Sequence, residues 1–194
     1  MPDAEKVLFH QFLNSFGEIS AADWETIIGY AQMREFRAGE VLLREGSIAR
    51  ELFFVVSGIL KIVSTNEKGN EVIQFFIKEN RFCTILYSFN GGAVAHEGII
   101  AATDGKALQF SRSDLDQVYK TLPGFKERIE GITHRALLEK IKSRNSLMGE
   151  EATVRYQKFL ANAPDILMRV PLSDVASYLG ITQQSLSRIR RNNA

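Results

Sequence analysis

The middle of this chain constrains its fold most. Between Arg34 and Ser111 the pattern is one of short apolar runs with glycine at the corners, and on both sides the spacing is helical. Val41-Leu42-Leu43 reads as one strand, followed by a turn at Arg44-Glu45-Gly46-Ser47. Leu52–Val56 is an apolar run stopped by Ser57-Gly58, and Ile59–Val63 follows. Asn66-Glu67-Lys68-Gly69-Asn70 is a hairpin turn, and Val72–Ile77 is the returning strand. Gly98–Ala102 and Ala107–Phe110 flank a further turn at Thr103-Asp104-Gly105. Many short strands at this spacing predict a small β-barrel or a sandwich.

The flanks are helical. Val7, Leu8, Phe12, Leu13 and Phe16 recur at helical spacing until Gly17, and Ser20 opens a second helix expected to reach about Met33. After the strands, Ser113 or Asp114 can cap a short helix, broken at Leu122-Pro123-Gly124. A long helix is then expected from Phe125 to about Met148, with Phe125, Ile129, Ile132, Ala136, Leu137, Leu138 and Ile141 forming a narrow apolar seam. Such a seam packs on another helix, and a two-fold copy is the expected partner; the alternative is packing on the chain's own β-domain. Met148-Gly149 marks a hinge. Glu151–Ala161 reads as a helix with Val154, Phe159 and Leu160 inward, and Asn162-Ala163-Pro164 as a linker.

The C-terminal segment has the spacing of a helix-turn-helix. Ser173 or Asp174 can cap its first helix, with Val175, Ala176 and Leu179 on the inner face. Gly180 supplies a sharp turn, Ile181 plugs the corner and Thr182 caps the second helix. Leu186 and Ile189 point inward. That leaves Gln183, Gln184, Ser185, Ser187, Arg188 and Arg190 outward. Glutamine and arginine there can reach adenine and guanine edges, while Arg191 and nearby hydroxyls suit phosphate. From Thr182 to Ala194 there are three arginines and no acid. The blander alternative is an amphipathic helical hairpin with a solvated basic face.

Composition narrows the classes. A net charge of +1 means that any nucleic-acid contact must use a local patch rather than bulk charge. The single cysteine, Cys83, excludes an internal disulfide and fits a reducing compartment, so a cytoplasmic location is expected. The start of the chain lacks a basic segment followed by an apolar run, so neither a secretory signal nor a membrane partner is expected. His96-Glu97 has the ligand types of a metal site, but His10 and His134 lie in distant helical stretches, so no metal is expected. The paired histidines of a cupin-type metal enzyme are missing, and no enzymatic activity or cofactor is expected. Cys83 could sense oxidants if Arg81 stabilised its thiolate; a small buried cysteine is the plainer role.

In order of elements the chain resembles the Crp/Fnr transcription regulators. Phe36-Arg-Ala-Gly39-Glu-Val-Leu-Leu-Arg-Glu-Gly46 is similar to the first hairpin of that family's cyclic-nucleotide-binding-like β-roll, and Leu52–Val63 to its next strands. The resemblance implies an α+β fold. An N-terminal antiparallel β-roll of jelly-roll type, with flanking helices, would span residues 1–120. A dimerisation helix would follow over 121–148, and a helix-turn-helix DNA-binding domain over 149–194. It implies a homodimer on double-stranded promoter DNA, with RNA polymerase as a further partner and Ser187-Arg188 as the closest match to the recognition helix. The alternative is a sensor module acting through protein contacts.

The departures from the family pattern are equally specific. Cyclic-nucleotide-binding members hold the ribose with Gly-Glu and the phosphate with Arg-Ser; these pairs fall near Thr84-Ile85 and Ala95-His96. Isoleucine cannot accept a ribose hydroxyl and alanine cannot neutralise a phosphate. Cyclic AMP is therefore not expected to bind in the usual way. Thr84, Ile85, Tyr87, Phe89, Ala95 and His96 remain candidates to line a pocket for another small effector, or to fill a β-roll that has lost its ligand. The family's winged hairpin is expected to be abbreviated, because Leu167-Met-Arg-Val170 leaves little room for it and few residues follow the recognition helix.

Overall fold

A computed structural model describes residues 3–192. The N-terminal helices are α1 (Asp3–Asn14) and α2 (Ala21–Gly29). The strands are β1 (Gln32–Phe36), β2 (Val41–Leu43), β3 (Glu51–Ser57), β4 (Leu60–Thr65), β5 (Glu71–Ile77) and β6 (Arg81–Cys83). After the short helix α3 (Leu86–Gly91) come β7 (Gly98–Ala101) and β8 (Gly105–Ser111). They form two antiparallel sheets, ordered β1-β8-β3-β6 and β2-β7-β4-β5. Phe54, Val55 and Leu108 from one sheet and Leu60, Ile62 and Ile99 from the other share one apolar core. This is the expected β-roll.

The remaining helices are α4 (Arg112–Thr121), α5 (Pro123–Asn145), α6 (Ala152–Asn162), α7 (Pro164–Leu167), α8 (Leu172–Leu179) and α9 (Gln183–Asn192). Helix α1 seals one side of the roll through Phe9, which stacks on Phe54 at 4.7 Å between ring centroids. Phe125, Ile129 and Ile132 bury the first half of α5 against the same core. A second core joins Tyr156, Phe159, Ile166, Val175, Leu179 and Leu186, and takes in Ile59 from the β-roll. No described helix is long and apolar enough to cross a membrane.

Several boundaries differ from the sequence expectation. Helix α2 ends at Gly29, and Met33 lies in β1, paired with Leu108. Strand β6 and helix α3 were not expected. Ser111, rather than Ser113 or Asp114, caps α4 by accepting from the Asp114 amide at 3.1 Å. Pro123 and Gly124 begin α5 instead of separating it from α4, because proline is tolerated in a first helical turn. The kink is Leu122 alone, at φ −129° and ψ 76°. The expected linker at Pro164 is a helical turn that buries Ile166. Leu160 faces outward, while Tyr156 takes the inner position with Phe159. Helix α8 has no side-chain cap from Ser173 or Asp174; Pro171 precedes it.

Candidate nucleic-acid interface

Helices α8 and α9 are joined by a turn that the sequence dictates locally. Gly180 closes α8 in the left-handed region, at φ +66°, where its amide reaches the Ser177 carbonyl at 3.0 Å. The Ile181 amide donates to Ala176 O at 3.0 Å. Thr182 then caps α9: its Oγ1 accepts from the Ser185 amide at 3.1 Å and donates to Ser185 Oγ at 2.9 Å. Val175, Ala176, Leu179 and Leu186 are buried between the helices. Ser185 is therefore half-buried and engaged in the cap rather than fully outward.

The other residues expected on the reading face are exposed: Thr182, Gln183, Gln184, Ser187, Arg188, Arg190 and Arg191. Gln183, Gln184, Ser187 and Arg188 make no side-chain hydrogen bond or ion pair with the described residues. Asp174, on the preceding helix α8, is paired with Lys61 of β4 at 3.1 Å. The exposed face of α9 therefore keeps its positive charge. The polar groups on it are available to an outside partner.

Helix α8 docks on the β-roll. Ser177 Oγ accepts from the Ile73 amide of β5 at 3.1 Å. Tyr178 meets Phe76 at 5.5 Å and Phe159 at 5.4 Å between ring centroids. Lys78 pairs with Asp165 at 2.8 Å, and the Arg169 fork binds the Glu79 carboxylate. None of these ties is legible in sequence spacing, because each joins residues far apart in the chain.

The six residues weighed as pocket lining separate into two sets. Thr84, Ile85, Phe89 and Ala95 are buried, with Thr84 Oγ1 donating to Glu51 O at 2.8 Å. Tyr87 and His96 are exposed. Tyr87 Oη accepts from the His96 amide at 2.7 Å and donates to Glu97 Oε2 at 2.8 Å. The loop after α3 is held in turn: Ala95 exchanges backbone bonds of 2.8 Å with Gly46 and Ser47. The backbone and hydroxyl groups of this stretch are thus occupied by the protein itself.

Cys83 is fully buried, and burial pushes its thiol up to about 12. Lys140, not Arg81, is the cation opposing that shift. Arg81 bonds Asn80 O instead. A thiol in this state is neutral and unreactive at neutral pH.

Comparison with known proteins agrees with this geometry. Residues 33–121 match the family described as Cyclic nucleotide-binding domain. Electron transport regulator A of Shewanella oneidensis is 21% identical over 169 residues, covering 80% of this chain and 66% of that protein, just under two thirds of its length. The cAMP-activated global transcriptional regulator CRP of Salmonella typhimurium is 19% identical over 175 residues, covering 85% of this chain and 83% of that protein. The structure of FixK2 from Bradyrhizobium japonicum superposes with a TM-score of 0.72 at 18% identity, covering 84% of this chain and 83% of that one. Residues 33–121 thus carry a domain of the cyclic nucleotide-binding kind, and over most of its length the chain is similar in sequence and fold to these regulators.

Proposed function

We propose that this chain is a sequence-specific DNA-binding transcription regulator that acts as a homodimer on promoter DNA. The observation that carries the reading is the outer face of α9. Gln183, Gln184, Ser187 and Arg188 stand exposed and without partners among the described residues, on a helix anchored by buried Leu186. In this reading glutamine and Arg188 meet base edges, and Thr182, Arg190 and Arg191 meet phosphates. The organisation follows as a β-roll sensor over 1–120, a dimerisation helix over 121–148 and a reading head over 149–194. RNA polymerase is the partner that such a promoter-bound dimer would address, in the cytoplasm.

Dimerisation rests on α5. Leu137, Leu138 and Ile141 are 41%, 53% and 46% exposed along the second half of the helix. A second copy would cover them. The cyclic AMP reading weakens on the same kind of evidence. Ile85 and Ala95 are buried where the family carries Glu and Arg, and the His96 amide is already bonded to Tyr87. Titration calorimetry with cyclic AMP is expected to show no saturable binding; tight binding would overturn this part.

The reading is tested by gel shift on fragments recovered by genomic footprinting. Arg188→Ala is expected to weaken specific binding about 5- to 150-fold, given about 1–3 kcal/mol for a good bidentate base contact. Affinity should also fall steeply with salt. Equal, weak, non-specific binding by both proteins would favour a sensor that works through protein contacts.

A further inference from the structure

The face of α5 turned away from the β-roll repeats every seven residues. Gly131, Leu138 and Asn145 hold one position of the repeat, and His134, Ile141 and Met148 the position three residues on. All of them are exposed. At 100° per residue they lie opposite Phe125, Ile129 and Ile132, which are buried in the roll. Glu130 borders the same seam four residues before His134, so the two side chains stand one above the other on one face.

Neither group is used within the chain. His134 makes no side-chain hydrogen bond or ion pair with the described residues. The one ion pair of the Glu130 carboxylate among them is with Lys126 at 3.8 Å, between side chains more than half exposed, and such a pair is worth little. Arg135, the next cation along the helix, is turned to α1, with its guanidinium 5.3 Å from the centroid of the Phe16 ring. Gly131 lies between Glu130 and His134, with nothing within 4 Å of an added Cβ. A glycine inside a helix costs about 1 kcal/mol against alanine, and no contact inside the chain requires it. What it permits is the close approach of another backbone.

A two-fold copy of α5, as in the homodimer proposed above, brings each of these groups beside its own counterpart. Enclosing two carboxylates and two imidazoles in an apolar seam is unfavourable unless they are neutralised and bonded. A divalent cation does both. We propose that His134 and Glu130 of the two copies together bind one zinc ion on the two-fold axis. Two imidazole nitrogens and two carboxylate oxygens make a four-donor set that zinc accepts, and the two carboxylates cancel its charge. No group of three or more His, Cys, Asp or Glu that could hold a metal lies among the described residues of one chain, so the site is complete only in the dimer. The proposal rests on the homodimer reading and makes assembly depend on the ion.

The test is titration of the full chain, first cleared of metal by a chelator, with zinc and with cobalt, read by calorimetry, visible absorption and sedimentation. Zinc should bind as one ion per two chains. It should tighten the dimer about tenfold once free zinc is about ten times its dissociation constant. Cobalt should give the visible bands of a tetrahedral site without a thiolate band, since Cys83 is buried. His134→Ala should weaken zinc more than about 100-fold, beyond the loss expected for an outer partner of a metal ligand, and Glu130→Gln about tenfold or more. His96→Ala, which removes an exposed histidine off the seam, should leave binding unchanged. A dimer that takes up no zinc, a stoichiometry of one ion per chain, or binding undiminished in His134→Ala or in a monomeric Leu138→Asp protein would each overturn the site alone. A chain that stays monomeric with and without zinc would overturn the site and the homodimer reading together.

Discussion

Lys61 Nζ, on an interior strand of the β-roll, lies 3.1 Å from Asp174 Oδ2, on the first helix of the helix-turn-helix. The two side chains are only 13% and 17% exposed, and Glu71 adds a second carboxylate at 3.2 Å from Lys61. This pair fastens the reading head to the sensor. Asp174→Asn keeps the shape and removes the charge, so a loss of about 1–2 kcal/mol is expected, below that of a fully buried pair. The undocked population then rises about 5–30-fold. Limited proteolysis between Ser146 and Glu151 should quicken in the variant while the β-roll stays resistant; unchanged cleavage would show that the pair does not hold the docking.

Acid should loosen the docking of the reading head at two other ion pairs, Arg169–Glu79 and Lys78–Asp165. Burial alone would raise the Glu79 pKa, but bonds from Arg169 and from the Gly58 amide, at 2.8 Å, outweigh it and leave the group lowered from 4.5. The bond from Lys78 lowers Asp165 from 3.8 despite some burial. Carboxyls lowered in the docked state stabilise it fully above their ordinary values, and that stabilisation is lost as pH falls through the lowered ones. The radius of gyration from small-angle scattering should therefore stay constant from neutral pH to about the ordinary carboxylate range and grow below it. Glu79→Gln should show part of that growth already at neutral pH.

The exposed leucines of α5 predict assembly. Leu138→Asp places a charge where a second copy would bury an apolar side chain, so sedimentation should report a monomer with an unchanged far-ultraviolet spectrum. Ile129→Asp, one face away and buried in the roll's own core, should instead unfold the sensor. A Leu138→Asp protein that sediments like the wild type would exclude this surface from the dimer.

Two glycines should respond differently to alanine. Gly180 needs φ +66° but has nothing within 4 Å of an added Cβ, so the expense is backbone strain of about 1–2 kcal/mol. For a chain of this size that is a fall in Tm of about 2–4 °C per kcal/mol. At Gly105 a Cβ would lie 2.6 Å from the Phe36 ring and closer still to the Ser57 carbonyl, both inside the sheet. Gly105→Ala should fail to fold. Thermal melts of the two variants separate conformational from steric demand.

The hairpin at Asn66–Asn70, the strand runs at Leu52–Val56 and Val72–Ile77, and the cap at Thr182 were legible because turn chemistry and alternation act over a few residues. Strand β6 was not, since Arg81–Cys83 is too short to carry a period and exists only because β3 offers it a partner. The long helix shows both sides at one element. Its seam from Phe125 to Ile141 was readable, yet only the fold shows that Ile132 meets its own core while Leu138 faces outward.

The sequence by itself determined the order of elements, the turn of the helix-turn-helix and, Ser185 apart, the outward set on α9, all consequences of local backbone preference and helical spacing. The tertiary structure alone decided that Asp174 is spent on Lys61, that Tyr87 closes the loop at His96, and that Lys140 lies over the Phe75 ring. Each depends on which distant residue the packed chain brings within reach. Hydrogen bonds and charges act over a few ångströms in space, whatever the distance along the chain.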